Sequence, residues 1–229
     1  MKYLRSLGLL PLIVAFASCG GGGGGSTGGS TIGGGTGSGS QSLLTITMTG
    51  DYFSSPTTDP DFQAVETGPV TGLVQPTLGP NGFPKVSTKG QTSTYSITDV
   101  NSNGEILWWS LSGRSKTQDI TAKADTLPFT FQNFFPTGQT TDSNFMRTVH
   151  WKGTITSQSA KTLTFSVFAD DDLWIYIDGN LVVDDGGVKS NQAASSQNVS
   201  LAAGNHTLDI FYTDRHTTQA TLGLAVTSQ

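Results

Sequence analysis

Hydrophobic and polar residues alternate along several separate parts of the chain. Leu44, Ile46 and Met48 alternate with threonines, and the same two-residue period returns over residues 162–169 and 222–226. Successive side chains of a β-strand point to opposite faces, so this period predicts half-buried strands. No long stretch shows a convincing apolar period of 3.6 residues. The pattern therefore predicts an all-β fold, namely an antiparallel β-sandwich.

A tight turn is predicted inside the most apolar part of the chain. Asp178-Gly179 stands between the apolar stretches 173–177 and 181–183. Asp-Gly favours a two-residue hairpin loop, because both of its residues adopt positive φ. A further strand is predicted over 208–212. The region 56–91 is rich in Pro and Gly, so we expect long surface loops there with one or two short strands.

The first residues have the features of an export signal. Lys2 and Arg5 precede an apolar stretch from Leu7 to Phe16 that is too short to span a bilayer. The small residues Ala17 and Ser18 then precede Cys19, the single cysteine of the chain. This arrangement resembles the lipobox of bacterial lipoproteins and predicts a signal peptide over 1–18 with lipid attached to Cys19. The alternative is an ordinary signal peptide cleaved near an incidental cysteine.

The amino-acid composition divides the chain into a predicted linker and one predicted folded domain. Gly, Ser and Thr dominate residues 19–42, and such a stretch cannot bury enough apolar surface to fold. We therefore predict a disordered spacer there and a single β-sandwich domain over 43–229. Gly20 after the cysteine resembles lipoproteins sent to the outer membrane. The expected location is the cell envelope, at the outer membrane or cell surface, with the lipid on Cys19 held in the membrane.

Charge narrows the range of partners. The formal net charge is −5 and no cluster of Lys or Arg is visible. A surface that binds phosphates needs such clusters, so a nucleic-acid partner is excluded.

Three consecutive aspartates, Asp170-Asp171-Asp172, stand directly before the predicted apolar strand 173–177. Three adjacent carboxylates repel one another unless a cation or amide donors offset their charge. Calcium prefers oxygen ligands, so it is the expected metal. Adjacent residues of a regular strand point to opposite faces, so Asp170 and Asp171 can share one ion only if the backbone leaves strand geometry. The alternative is that the aspartates are solvated turn residues that accept backbone N–H bonds.

Several motifs follow one another in the order typical of one family. The acidic run leads into Trp174, the Ile-Asp-Gly turn at 177–179 and the acidic Gly-Gly segment 184–187. This part resembles the signature of the fibro-slime domain, a branch of the PA14-like β-sandwiches. Further pieces of the resemblance occur in the expected order at residues 51–53, 59–62, 78–84, 108–109, 134–136 and 211–216.

The resemblance implies a calcium site. Asp170 and Asp171 correspond to the paired aspartates that chelate calcium in PA14-type lectins through a cis peptide between them. Asp172 replaces the glycine common after the pair, which adds a carboxylate for ligand binding. Exposed aromatic residues stack on sugars in those lectins, a role open to Trp174 or Tyr176. The alternative is that both faces of this strand are buried.

Arg215 and His216 follow the predicted strand 208–212. Arg215 offers a bidentate partner for a carboxylate, so we place it in the ligand-binding region, with a structural pairing to one aspartate as the alternative. A lone histidine without a nucleophile is more often structural than catalytic.

Three function classes remain. The first is a calcium-dependent binding module, similar to an adhesin, that recognises a glycan or a matrix polymer. The second is a structural or assembly protein of the envelope or extracellular matrix. The third is a glycosidase, which needs two separated carboxylates that adjacent aspartates do not provide. We therefore expect a protein without catalytic residues.

Overall fold

The computed structural model describes residues 41–62, 65–133, 146–189, 195–216 and 220–229. The predicted signal peptide (1–18), Cys19 and nearly all of the predicted linker (19–42) lie outside these residues. No helix within the described ranges is long and apolar enough to cross a membrane.

Two antiparallel β-sheets build the described part of the chain. Their strands are β1 (Ser42–Leu43), β2 (Ile46–Ser54), β3 (Val74–Leu78), β4 (Pro84–Val86), β5 (Thr117–Leu127), β6 (Phe129–Asn133), β7 (Arg147–Ser157), β8 (Lys161–Asp170), β9 (Asp172–Ile177), β10 (Asn180–Asp185), β11 (Ser195–Leu201), β12 (Gly204–Thr213) and β13 (Thr221–Ser228). The small sheet has the order β1-β13-β8-β11, with β6 also paired to β13. The large sheet has the order β4-β3-β10-β9-β12-β7-β2-β5. The predicted all-β fold is confirmed.

The main core lies between the two sheets, and strand alternation builds it. In β2, Ile46 and Met48 are buried while Thr47 and Thr49 are exposed. In β8, Leu163, Phe165 and Val167 are buried, and Leu222, Leu224 and Val226 of β13 join them. The three stretches of alternating residues in the sequence therefore supply core-facing strands.

The predicted hairpin is confirmed in register and in turn geometry. Ile177 of β9 pairs with Asn180 of β10, which leaves Asp178 and Gly179 as the two loop residues. Their φ values are 50° and 73°, as a hairpin loop with two positive-φ residues requires.

Residues 56–62 and 65–116, which we call the covering segment, add β3 and β4 to one edge of the large sheet and bring further residues against its outer face. As expected for its first part, it is mostly loop with the short strands β3 and β4. It brings Phe62, Trp108 and Trp109 into a second apolar cluster with Trp174 and Tyr176 of β9. Leu173, Ile175 and Ile177 face the core between the sheets. Both faces of β9 are therefore buried, as the alternative interpretation expected.

A polar network that is buried apart from the Arg114 side chain holds the covering segment in shape. Asp61 accepts hydrogen bonds from the Trp108 indole at 2.9 Å and from Arg114 Nη2 at 2.6 Å. Lys116 Nζ lies 2.6 Å from Asp59 Oδ2 and 3.2 Å from Asp99 Oδ2. These contacts fix Trp108, whose position matters for the site described next.

Candidate metal centre

The acidic run lies where the chain passes from the small sheet to the large sheet. Asp170 is the last residue of β8, opposite Thr221, and Asp172 is the first of β9, opposite Thr213. Asp171 belongs to neither strand, and the Asp170–Asp171 peptide bond is cis. Tyr212 Oη donates to the Asp170 carbonyl at 2.6 Å. The backbone therefore leaves strand geometry between Asp170 and Asp171, as a shared ion would require.

A third carboxylate joins the first two. Asp214 follows directly after β12, which is the antiparallel neighbour of β9. One carboxylate oxygen from each of Asp170, Asp171 and Asp214 lies within 4.8 Å of the others. All three residues are buried, and Asp170 is the most exposed at 6%. We call this group the carboxylate trio.

Backbone amides orient two members of the carboxylate trio. The Lys189 amide donates to Asp171 Oδ1 and the Arg215 amide to Asp171 Oδ2, each at 2.7 Å. The Met146 amide donates to Asp214 Oδ2 at 2.6 Å. The other oxygen of that group, Asp214 Oδ1, is buried and has no hydrogen-bond partner within ordinary distance and angle limits among the described residues. A buried carboxylate oxygen without a close donor is uncommon in proteins, and it leaves Asp214 Oδ1 available to contact a water molecule or an ion.

Burial and mutual repulsion disfavour the charged forms of the trio. Burial, with the Asp171 charge second, raises the pKa of Asp170 to about 7, while Lys189 opposes the rise. Burial, followed by the charge of Asp172, raises the pKa of Asp171 to about 6. Burial and Asp171 raise the pKa of Asp214 well above its ordinary value, against the amides of Met146 and His216. The described protein groups therefore do not neutralise the trio.

The two buried cations beside the site are engaged with other groups. Lys189 Nζ donates to the backbone carbonyls of Asp171 and Asp185, at 2.9 Å in the latter case. The Arg215 guanidinium forms a salt bridge with Asp172, with Nε 2.7 Å from Oδ2. Among the described residues, neither side chain donates to a carboxylate oxygen of the trio at hydrogen-bond distance.

The donor set fits a hard divalent cation. It consists of carboxylate oxygens, which calcium prefers, and contains neither His nor Cys. Asp214 Oδ1 would gain the partner that it lacks, and the raised pKa values would fall because a cation favours the charged carboxylates. Asp170, Asp171 and Asp214 are therefore the residues that could hold calcium.

The structure brings the sequence-predicted site residues together but gives them different environments. Asp170 and Asp171 belong to the trio. Asp172 is fully buried and paired with Arg215, which is 1% exposed. Trp174 is fully buried between Trp108, at a centroid distance of 6.0 Å, and other covering-segment groups. Its ring face is therefore not exposed for stacking on a sugar.

Sequence reasoning missed Asp214 as a possible metal ligand. The motif at 211–216 contains Asp214, but only Arg215 of that motif is predicted from the sequence to lie in the site. Pairing the predicted strand 208–212 with the strand 173–177 would have found it, because the ends of antiparallel neighbours lie side by side. The observed register Thr213–Asp172 places Asp214 next to the acidic run in this way.

Comparison with known proteins gives both sequence and structural matches. Protein psiD from Dictyostelium discoideum is 27% identical over 208 residues, which cover 76% of this chain and 39% of psiD. Protein psiH from the same organism is 35% identical over 68 residues, covering 28% of this chain and 10% of psiH. The chain thus spans two fifths or less of the length of these relatives.

Among solved structures, the PA14 sugar-binding domain from an RTX adhesin has a TM-score of 0.36 at 16% identity, covering 80% of this chain and 90% of that domain. The epithelial adhesin 9 A domain from Candida glabrata, solved in complex with Galb1-3GlcNAc, has a TM-score of 0.38 at 12% identity and covers 82% of both chains. The family model described as the PA14 domain matches residues 135–229, and this part of the chain contains the whole carboxylate trio.

Proposed function

We propose that this protein is a surface-tethered, non-catalytic carbohydrate-binding module whose contact with a glycan depends on calcium. The observation that carries the proposal is the buried carboxylate trio with the unpartnered oxygen of Asp214. Its place within the PA14-matched residues supports the calcium part. The glycan part follows from the resemblance to PA14-type lectins, in which calcium contacts sugar hydroxyls.

The chain's own groups would hold the ion in a defined place. Asp171 is held at both carboxylate oxygens by the amides of Lys189 and Arg215. Asp214 is held at Oδ2 by the Met146 amide, which leaves Oδ1 for the ion. Calcium takes six to eight oxygen ligands, so three carboxylates leave positions that hydroxyl oxygens of a sugar can fill.

The proposed absence of catalysis has a geometric basis. Glycoside hydrolysis uses two carboxyl groups about 5 to 9.5 Å apart on opposite sides of the scissile bond. One carboxylate oxygen from each member of the trio lies within 4.8 Å of the others, and all three residues are buried. Carboxylates grouped in this way favour the shared binding of one ion over an acid and a base on opposite sides of a bond.

We also infer that the domain is a fibro-slime-type PA14 domain carried on a lipid anchor. The motifs at 59–62 and 108–109 belong to that resemblance, and they pack together in the covering segment. The ring centroids of Phe62 and Trp108 are 5.7 Å apart. For the anchor, Cys19→Ser should move the protein from the membrane fraction to the soluble fraction. Unchanged retention in the membrane fraction would contradict lipid attachment at Cys19.

One observation favours a second function, a structural protein of the envelope or extracellular matrix. Trp174 and Tyr176 are buried under the covering segment, so neither offers its ring to a sugar. In this function the calcium would stiffen the junction between β8 and β9, and no glycan would bind.

A glycan array separates the two functions. The protein is applied with 2 mM calcium and again with excess chelator, alongside the double variant Asp170→Asn/Asp171→Asn. Asp178→Asn, which removes an exposed carboxylate at the other end of β9, is the matched control. We expect sugar binding by the wild type and the control in calcium only. Calcium binding without any sugar signal would favour the structural protein, and chelator-resistant sugar binding would contradict the metal-dependent contact.

A further inference from the structure

We propose that Asp172 and Arg215 form a positioning pair that holds Asp171 in the orientation needed to bind the cation, although neither side chain is a metal ligand. The proposal rests on the proposed function, because it concerns the same site. It also gives Asp172 and Arg215 a role other than the direct ligand contact expected from the sequence.

The oxygens of Asp172 are already engaged. Oδ2 accepts from Arg215 Nε at 2.7 Å, and Oδ1 accepts from the Gly187 amide at 2.6 Å. Arg215 Nη2 lies 3.4 Å from the same Oδ1, so the guanidinium spans both oxygens. The residue is fully buried. Asp172 therefore presents its carboxylate to Arg215 and Gly187, away from the carboxylate trio.

Arg215 connects two neighbouring aspartates through different atoms. Its side chain binds Asp172, while its backbone amide donates to Asp171 Oδ2 at 2.7 Å. Holding the guanidinium in place therefore also holds the amide that orients the metal-binding carboxylate. A shift of the backbone at Arg215 would disturb both contacts.

The opposite oxygen of Asp171 is held by a segment that Asp172 also anchors. Lys189 donates its amide to Asp171 Oδ1, and Gly187, two residues earlier, donates to Asp172 Oδ1. Gly187 has a φ of 104°, and a Cβ there would lie 2.3 Å from the Gly68 carbonyl oxygen. Both segments that orient Asp171 are thus tied to Asp172.

The covering segment supports the pair from outside the PA14-matched residues. The Arg215 guanidinium carbon lies 4.9 Å from the centroid of the Trp108 ring, and Nη1 lies 3.5 Å from the Tyr95 carbonyl oxygen. Trp108 is fixed in turn by Asp61. Residues of the covering segment therefore limit the movement of the side chain that positions the metal ligand.

The test measures metal binding by the full mature chain with terbium, which replaces calcium and is luminescent. Terbium affinity, calcium displacement and the luminescence lifetime in H2O and D2O are recorded at 10 °C for the wild type, Asp172→Asn and Arg215→Lys. Outer partners of metal ligands typically contribute 10- to 100-fold to affinity, so we expect about that loss in both variants. The lifetime should also shorten, because a displaced Asp171 admits about one further water to the ion.

Two controls separate positioning from loss of stability. Asp209 lies on β12, away from the trio, and its carboxylate pairs with His150 of β7 at 2.9 Å. The variant Asp209→Asn should therefore keep the wild-type terbium affinity and luminescence lifetime. Arg215→Lys keeps the positive charge and is informative if Asp172→Asn does not fold. If the wild type binds terbium and either folded variant binds with the same affinity and lifetime, the positioning role is wrong. If the wild type binds neither terbium nor calcium, the proposed function itself fails.

Discussion

The carboxylate trio should make the metal-free protein less stable as pH rises from about 4 to 7. Burial and the charge of Asp172 raise the pKa of Asp171 from 3.8 to about 6 in the folded state. Between these two values the folded state keeps a proton that the unfolded state has lost. The free energy of unfolding therefore falls with increasing pH in this window.

The expected magnitude follows from the pKa difference. About 2 pH units at about 1.4 kcal/mol per unit give about 3 kcal/mol for Asp171. Asp170, whose pKa rises to about 7, acts in the same direction and extends the loss to neutral pH. Asp61 and Glu105 have lowered pKa values, so the stability that they contribute is present above about pH 5 and is lost only in more acidic solution.

The effect can be measured by urea unfolding in excess EDTA between pH 4 and 7.5. The free energy of unfolding is compared between the wild type and Asp171→Asn. The variant has no charge at this position, so its decline over the same window should be smaller by about 3 kcal/mol. His150, whose pKa burial lowers, and His206, whose pKa Asp178 raises, also titrate here, but both proteins contain them. The difference between the two curves therefore reports the Asp171 proton together with the effect of the Asp171 charge on the pKa values of Asp170 and Asp214, so about 3 kcal/mol is its lower bound.

Calcium should reverse the decline, because a bound cation favours the charged trio. At 100 times the dissociation constant, binding adds about 2.7 kcal/mol at 25 °C. Parallel stability curves for the wild type and Asp171→Asn in EDTA would contradict this prediction, because they would mean that the folded state does not hold the Asp171 proton.

Further predictions concern the groups that hold the site in place. Lys116→Met leaves Asp59 and Asp99 buried without this ammonium and should cost about 3 kcal/mol in urea unfolding; a cost below about 1 kcal/mol, the level of an exposed pair, would contradict a buried network. Gly187→Ala should lower the melting temperature more than Gly82→Ala, because both positions have positive φ but only Gly187 faces backbone within 2.3 Å. Equal effects would mean that φ alone decides. Phe165→Ala, in the core between the sheets, should cost about 3 to 5 kcal/mol by chemical unfolding, and a cost near zero would show that this core is not packed as described.

The sequence predicted the parts of the fold that depend on local pattern. The alternation of Ile46 and Met48 with threonines marks a strand because one face of it meets the core. Asp178-Gly179 marks the hairpin because both residues take positive φ. Such features depend on residues within a few positions of one another, and a single sequence contains them in full.

Features that depend on distant contacts could not be predicted in the same way. Trp174 lies against Trp108 because the covering segment packs on the large sheet. The hydrophobic period of the sequence does not predict where that segment packs. Asp214 reaches the acidic run through the pairing of β12 with β9. The engagement of Asp172 with Arg215 likewise follows from this pairing, which placed a cation beside a residue that the sequence had suggested as a ligand contact.

Anomalous scattering from crystals grown with calcium chloride at pH 7.5 would show whether the carboxylate trio binds calcium. We expect an anomalous peak at about 2.3 to 2.6 Å from oxygens of Asp170, Asp171 and Asp214, the usual calcium–oxygen distance. Well-ordered carboxylates with no anomalous peak between them would contradict it.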